Sequence, residues 1–167
     1  GTGGSAGRFR NHLWVAGRPA SLLYCGRLLV CRWLHWNKIP LSDLVDLNGL
    51  LRKYWGYDSF RPKQELIVRS LLAGRDVAAI MPTGGGKSLC YQMPALVLGR
   101  TAVVVSPLIA LMQDQASQLA QMGIPAAVVN SSQDPREQWN VMRQARQGAY
   151  RLLYLSPERL ARPDTVS

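Results

Sequence analysis

Met81-Pro82-Thr83-Gly84-Gly85-Gly86-Lys87-Ser88 follows the short apolar run Val77-Ala78-Ala79-Ile80 and leads into Leu89-Cys90-Tyr91. Three consecutive glycines let the backbone curl so that several N–H groups can point into one cavity, which suits an anion. The lysine can reach the outer phosphates of a nucleotide, and the Ser88 hydroxyl can ligate Mg²⁺. A helix starting near Lys87 adds the positive end of its dipole to the same place. The strict pattern G-x-x-x-x-G-K-[ST] has glycine where this chain has Met81, while Gly84 and Gly85 supply backbone freedom inside the loop. A lysine about 4 Å from a phosphate at an effective dielectric of about 20 gains about 4 kcal/mol, against about 1 in open water. The stretch therefore reads as a P-loop, with Lys87 as its catalytic residue. The plainer alternative is a glycine-rich turn that happens to carry a lysine.

The surroundings alternate in the way such a loop requires. Asp76–Met81 reads as a strand, and a helix from Lys87 is expected to be interrupted or to end near Pro94. Thr101–Val105 is a β-branched run that fits a strand buried on both faces. Pro107–Met122 reads as a helix closed by Gly123, Ala126–Val129 as a strand, Pro135–Gln147 as a helix and Arg151–Leu155 as a strand. Strands separated by helices of this length imply right-handed crossovers and a parallel sheet, with ligands beyond the carboxyl ends of the strands. The predicted fold is α/β, a P-loop NTPase sheet flanked by helices and truncated after about four strands.

Upstream, Ser42 is a candidate helix cap, and Leu44, Leu47, Leu50, Leu51 and Tyr54 recur at helical spacing up to Gly56. Pro62 suits the first turn of a second helix running through Leu66, Ile67 and Leu71 to Gly74. Residues 1–40 carry three tryptophans and no clean period. The expected organisation is a basic extension over residues 1–40, amino-terminal helices over 41–75, and the first part of a nucleotide-binding domain over 76–167.

The 167 residues suffice for one domain with a real core. Net charge is +10, and residues 1–40 hold six Arg or Lys and no acid. That balance is compatible with nucleic acid or an acidic membrane face, and cannot choose between them. Leu22 to Leu34 is apolar but broken by Arg27 and Arg32, too short and too charged to span a bilayer. Cys25, Cys31 and Cys90 stand at no framework spacing. Cys25, Cys31 and His35 invite a zinc reading, yet spare thiols in a reduced, cytoplasmic compartment account for them better. The Arg-rich start is also the composition of an organelle transit peptide. Gly1 and Ser167 as end residues suggest a fragment of something longer.

Tyr57, Phe60, Arg61, Pro62 and Gln64 lie just ahead of the P-loop strand. A tyrosine ring can stack on a base, and a glutamine amide donates and accepts together, which suits the N6–H and N7 edge of adenine. Aromatics packing a helix junction is the alternative. Four stretches then occur in order: Gly56-Tyr57-Asp58-Ser59-Phe60-Arg61-Pro62-Lys63-Gln64, the P-loop continued to Gln92, Val105-Ser106-Pro107-Leu108-Ile109-Ala110-Leu111-Met112-Gln113-Asp114-Gln115, and Tyr154-Leu155-Ser156-Pro157-Glu158-Arg159-Leu160. Over about residues 44–162 this arrangement resembles RecQ, the ATP-dependent DNA helicases, whose nucleotide domains are RecA-like. Residues 1–40 carry no part of the resemblance.

The resemblance implies that Tyr57, Arg61 and Gln64 hold adenine, and that Thr83, Gly84, Gly85, Gly86, Lys87 and Ser88 hold the ATP phosphates, with Ser88 on Mg²⁺. It implies that Ser106, Pro107 and Gln115 lie along a DNA strand, as does Ser156. It further implies 3′→5′ duplex unwinding in DNA repair and recombination, driven by two RecA-like domains. The acidic motif that would orient the attacking water, and the second domain with its arginine finger, are not among these residues; a lost finger alone costs about 10³–10⁵ in rate. This stretch by itself is expected not to unwind DNA. Three alternatives stay open: a DEAD-box-like RNA helicase, another P-loop ATPase such as a transport ATPase, or a non-catalytic nucleic-acid-binding fragment. Against the first, Ser106-Pro107-Leu108 stands where that group has Pro-Thr-Arg. Cap or turn roles for Ser106-Pro107, and a solvated helix start at Glu158-Arg159, are the structural alternatives.

Overall fold

The computed structural model describes residues 21–25, 28–32 and 45–162. Among the described residues twelve elements run in the order β1 (Ser21–Cys25), β2 (Leu28–Arg32), α1 (Leu47–Trp55), α2 (Gln64–Leu72), β3 (Val77–Ile80), α3 (Lys87–Leu98), β4 (Ala102–Val105), α4 (Ile109–Gln121), β5 (Ala126–Val129), α5 (Pro135–Arg146), β6 (Leu152–Leu155) and α6 (Pro157–Leu160). The strands form one sheet in the order β3-β2-β1-β4-β6-β5. β4, β6 and β5 are parallel neighbours, and β1 is parallel to β4. β2 pairs antiparallel with both β1 and β3, so it alone runs against the others.

The four strands expected from the alternating pattern are all present. The sheet nevertheless has six, because β1 and β2 fall in residues 21–32, where no strand was expected. Their register sets Cys25 opposite Leu28. Two five-residue apolar runs this close can pair as a hairpin without alternation along either strand, and they lie between β3 and β4 in the sheet.

Three apolar clusters organise the packing. Ile67, Leu71, Ala79, Met81, Cys90, Tyr91, Val104, Met112, Leu119, Leu152 and Tyr154 join α2, α3 and α4 to one sheet face. Leu47, Leu51, Val68, Leu72, Leu89 and Met93 tie α1 to α2 and α3. Val129, Met142, Leu153 and Leu155 set α5 on the opposite face.

Two local expectations are corrected. α3 continues through Pro94 to Leu98 instead of stopping. Its residues from Leu89 to Ala95 are all buried, and packing on both sides outweighs the backbone hydrogen bond that a proline forfeits. The cap of α1 is Asp46, whose carboxylate accepts from Gly49 N–H at 2.8 Å, three residues inside the helix. Ser42, the cap expected from sequence, lies outside the described residues, as does the zinc candidate His35; the side chains of Cys25 and Cys31 do too. Among the described residues no group of His, Cys, Asp and Glu could hold a metal ion. No helix there is long and apolar enough to cross a membrane.

Candidate nucleotide-binding site

β3 delivers the chain into the loop at Met81, and α3 takes it away from Lys87. Between them Gly84 and Gly86 sit at φ +78° and +77°, left-handed backbone that L side chains rarely adopt. Gly85 N–H bonds back to Pro82 C=O at 3.0 Å, which closes the turn. Lys87 is buried, and its ammonium folds into the loop, donating to Pro82 O at 2.8 Å and Met81 O at 3.2 Å.

The upstream cluster closes over this loop. Gln64, the first residue of α2, donates from Nε2 to Gly86 O at 3.0 Å and accepts at Oε1 from Arg61 N–H at 2.8 Å. The Arg61 guanidinium donates to Gly84 O at 2.6 Å. Lys63, between them, holds φ +72°, the one non-glycine residue with positive φ among those described. It is the N-cap of α2, just ahead of Gln64. A Cβ on Gly86 would overlap Gln64 Nε2, so loop and helix meet with no spare room.

These residues border a cleft of about 400 Å³. Tyr57, Arg61 and Gln64 line one side, and Thr83, Gly84, Gly86, Lys87 and Ser88 line the floor. The nucleotide residues inferred from sequence are thus brought together, with Gly85 in the loop backbone. Tyr57 is 53% exposed, with its ring free to cover a base. Sequence reasoning missed Trp55, Gln118 of α4 and Met122 just after it, which also line the cleft. Their helical spacing from Gln115 was the available signal.

The residues assigned to a nucleic-acid strand lie at neighbouring strand ends. Ser106 follows β4 and Ser156 follows β6, and Ser106 N–H bonds Leu155 O at 3.0 Å. Both hydroxyls are buried and act locally: Ser106 Oγ accepts from Leu108 N–H at 3.3 Å, and Ser156 Oγ caps α6 through Arg159 N–H at 3.4 Å. The turn and cap roles weighed from sequence are therefore present. Pro107 and Leu108 are exposed, whereas Arg159, a candidate for a solvated helix start, is buried. Gln115 reaches from α4 to the edge of the cleft.

Burial pushes the Cys90 thiol up to about 11, against smaller opposing effects from a backbone hydrogen bond and the Lys87 charge. Burial likewise raises Tyr154, partly opposed by hydrogen bonds from Gln92 and Tyr91.

A strand-to-helix loop that can wrap an anion, faced by a stacking ring and an amide, defines a nucleotide-binding α/β protein of the P-loop type. Residues 61–165 match the DEAD/DEAH box helicase model, and the chain belongs to that family. It is 48% identical to the ATP-dependent DNA helicase RecQ of Bacillus subtilis over 113 residues, 67% of this chain and 19% of the relative. It is 46% identical to the RecQ of Synechocystis over 120 residues, 72% of this chain and 25% of that one. These matches bear out the RecQ resemblance read from the four motifs. The chain spans about a fifth to a quarter of the length of these relatives. A crystal structure of a hypothetical ATP-dependent RNA helicase from Sulfolobus tokodaii superposes with a TM-score of 0.52 at 25% identity, covering 67% of this chain and 34% of that one.

Proposed function

We propose that this chain is the ATP-binding portion of a 3′→5′ ATP-dependent DNA helicase acting in DNA repair and recombination. The observation that carries the reading is the direct bonding of Arg61 and Gln64 to the carbonyls of Gly84 and Gly86. It makes base recognition and phosphate binding parts of one unit. Gln64 has one N–H and one lone pair left after its two bonds, enough to meet the donor and acceptor on the adenine edge. Tyr57 would cover the ring. Lys87 would turn from the Pro82 and Met81 carbonyls to the outer phosphates, exchanging two neutral acceptors for charged oxygens.

Ser88, half-buried in the first turn of α3, is the residue for Mg²⁺. Mg²⁺ keeps several waters and takes the rest of its shell from phosphate, so one hydroxyl is an adequate protein ligand. When bound, the ion would neutralise charge on the outer phosphates. Nucleotide binding is the activity assigned to this stretch. A DNA strand would run over the exposed Pro107 beside the Ser106 and Ser156 strand ends, with Gln115 beneath it. A cytoplasmic site of action suits three cysteines at no framework spacing.

Equilibrium binding of a fluorescent ATP tests the reading, with inorganic tripolyphosphate as the probe that lacks a base. Tyr57→Ala should weaken ATP by about 5–150-fold, the worth of one base–aromatic stack of about 1–3 kcal/mol, while leaving tripolyphosphate unchanged. Equal loss of both would contradict adenine stacking. Single-stranded DNA should bind at least as tightly as RNA of the same sequence; clear preference for RNA would move the chain to the RNA helicase reading.

A further inference from the structure

Gln92 lies one turn after Ser88 on α3, at the i, i+4 spacing that sets two side chains on the same helix face. It is only 5% exposed, so its amide needs protein partners. Its Nε2 donates to Gln115 Oε1 on α4 at 2.8 Å and stands 3.5 Å from the hydroxyl of Tyr154 on β6. One amide therefore joins the helix that begins in the P-loop to the helix that follows Ser106 and to the strand that leads into Ser156. A small cavity of about 30 Å³ lies beside this junction, and both Ser88 and Ser106 border it. This space, with Gln115 and Tyr154 also on its wall, lies between Ser88 of the nucleotide floor and Ser106.

We infer that Gln92 is a positioning residue that couples nucleotide occupancy at the P-loop to nucleic-acid affinity along the Ser106–Gln115 segment, acting through the Gln115 amide. The inference rests on the helicase reading above. The –NH₂ group of Gln92 has two hydrogens, one for each partner. Its two bonds are unequal: the one to Gln115 is at ideal length and the one to Tyr154 is at the outer limit. A shift of α3 by roughly half an ångström when phosphates enter the loop would tighten one bond and release the other. α4, held by this amide at Gln115, would then move relative to β6, and the surface between Ser106 and Ser156 would change with it. Linkage makes the effect reciprocal, so nucleic acid on that surface must alter nucleotide affinity by the same factor.

The test is fluorescence anisotropy of a fluorescein-labelled oligo-dT strand on the whole chain. Binding is measured without nucleotide and with the β,γ-imido analogue of ATP at saturation, in Mg²⁺. The unaltered chain should show dissociation constants that differ about fivefold or more between the two conditions. Gln92→Leu should bring their ratio to within about twofold of unity, and Gln115→Leu, at a half-buried position that tolerates change better, should do the same. The double variant should show no further loss, because the two residues act through one bond. A glutamine that only sets the packing of α3 on α4 would lower the melting temperature and leave the ratio alone. That result, or a ratio of one in the unaltered chain, overturns the inference. Failure of the unaltered chain to bind either probe would sink the helicase reading and the inference together, whereas intact binding with an unmoved ratio sinks the inference alone.

Discussion

Gly86→Ala perturbs one of the two contacts between the proposed adenine-recognition segment and the glycine-rich loop. Gly86 stands at φ +77°, where a non-glycine residue costs about 1–2 kcal/mol. The new methyl group would also overlap Gln64 Nε2, so the amide must leave Gly86 O, its partner at 3.0 Å. Losing that bond, and the matched pair with Arg61 N–H, costs a further 1–2 kcal/mol or so. The substitution should therefore lower unfolding free energy by about 2–4 kcal/mol, measured by urea denaturation. In a Gln64→Ala background the overlap is already relieved, and only the backbone cost of about 1–2 kcal/mol should remain. The double variant should then be more stable than the sum of the singles predicts, by about 1–2 kcal/mol. Additivity to within about 0.5 kcal/mol would refute the claim that Gln64 and the loop form one unit.

Two further outcomes follow from local chemistry. The Cys90 thiol is raised from 9.0 to about 11, so the protonated form stabilises the fold fully below about pH 9, and that contribution is lost as pH rises through about 11. Melting temperature should fall more steeply between pH 8.5 and 10.5 in the parent than in Cys90→Ala; parallel slopes would remove the buried-thiol account. Lys63→Gly should raise stability by up to about 1 kcal/mol, because glycine relieves left-handed strain at a cost in unfolded-chain entropy, and a thermal melt showing marked destabilisation would contradict the strain.

The centre of the fold was legible because its signals are local. Val77–Ile80 into glycines, a lysine and an apolar helix is a contiguous pattern, and Gly56, Gly123 and Pro135 mark helix ends through their own backbone preferences. Non-local packing was less visible. Whether Pro94 ends α3 depends on what surrounds it, and a helix buried from Leu89 to Ala95 gives an answer that no window around the proline contains. β1 and β2 became strands by pairing with each other, and with β3 and β4 much later in the chain.

The site divides the same way. The candidate nucleotide residues were readable from the loop, from Tyr57 and Gln64 as chemical types, and for Arg61 from the family resemblance. That Gln64 grips Gly86, 22 residues further on, was not. Gln92 stood inside a motif with no assigned role, since its partners are 23 and 62 residues away. Ser106 and Ser156 were singled out as contacts, yet their hydroxyls are committed to a turn and a cap. Each hydroxyl accepts in these bonds and keeps its own O–H as a donor.

Titration of a fluorescent ATP into the parent chain and into Lys87→Ala tests the account at its centre. Lys87 is buried with its ammonium on two loop carbonyls, which on the proposed reading it exchanges for phosphate oxygens. Saturable binding by the parent should weaken by at least about 10–150-fold in the variant, matching charge-assisted hydrogen bonds of about 1.5–3 kcal/mol. Equal affinity in the two proteins would contradict the P-loop assignment.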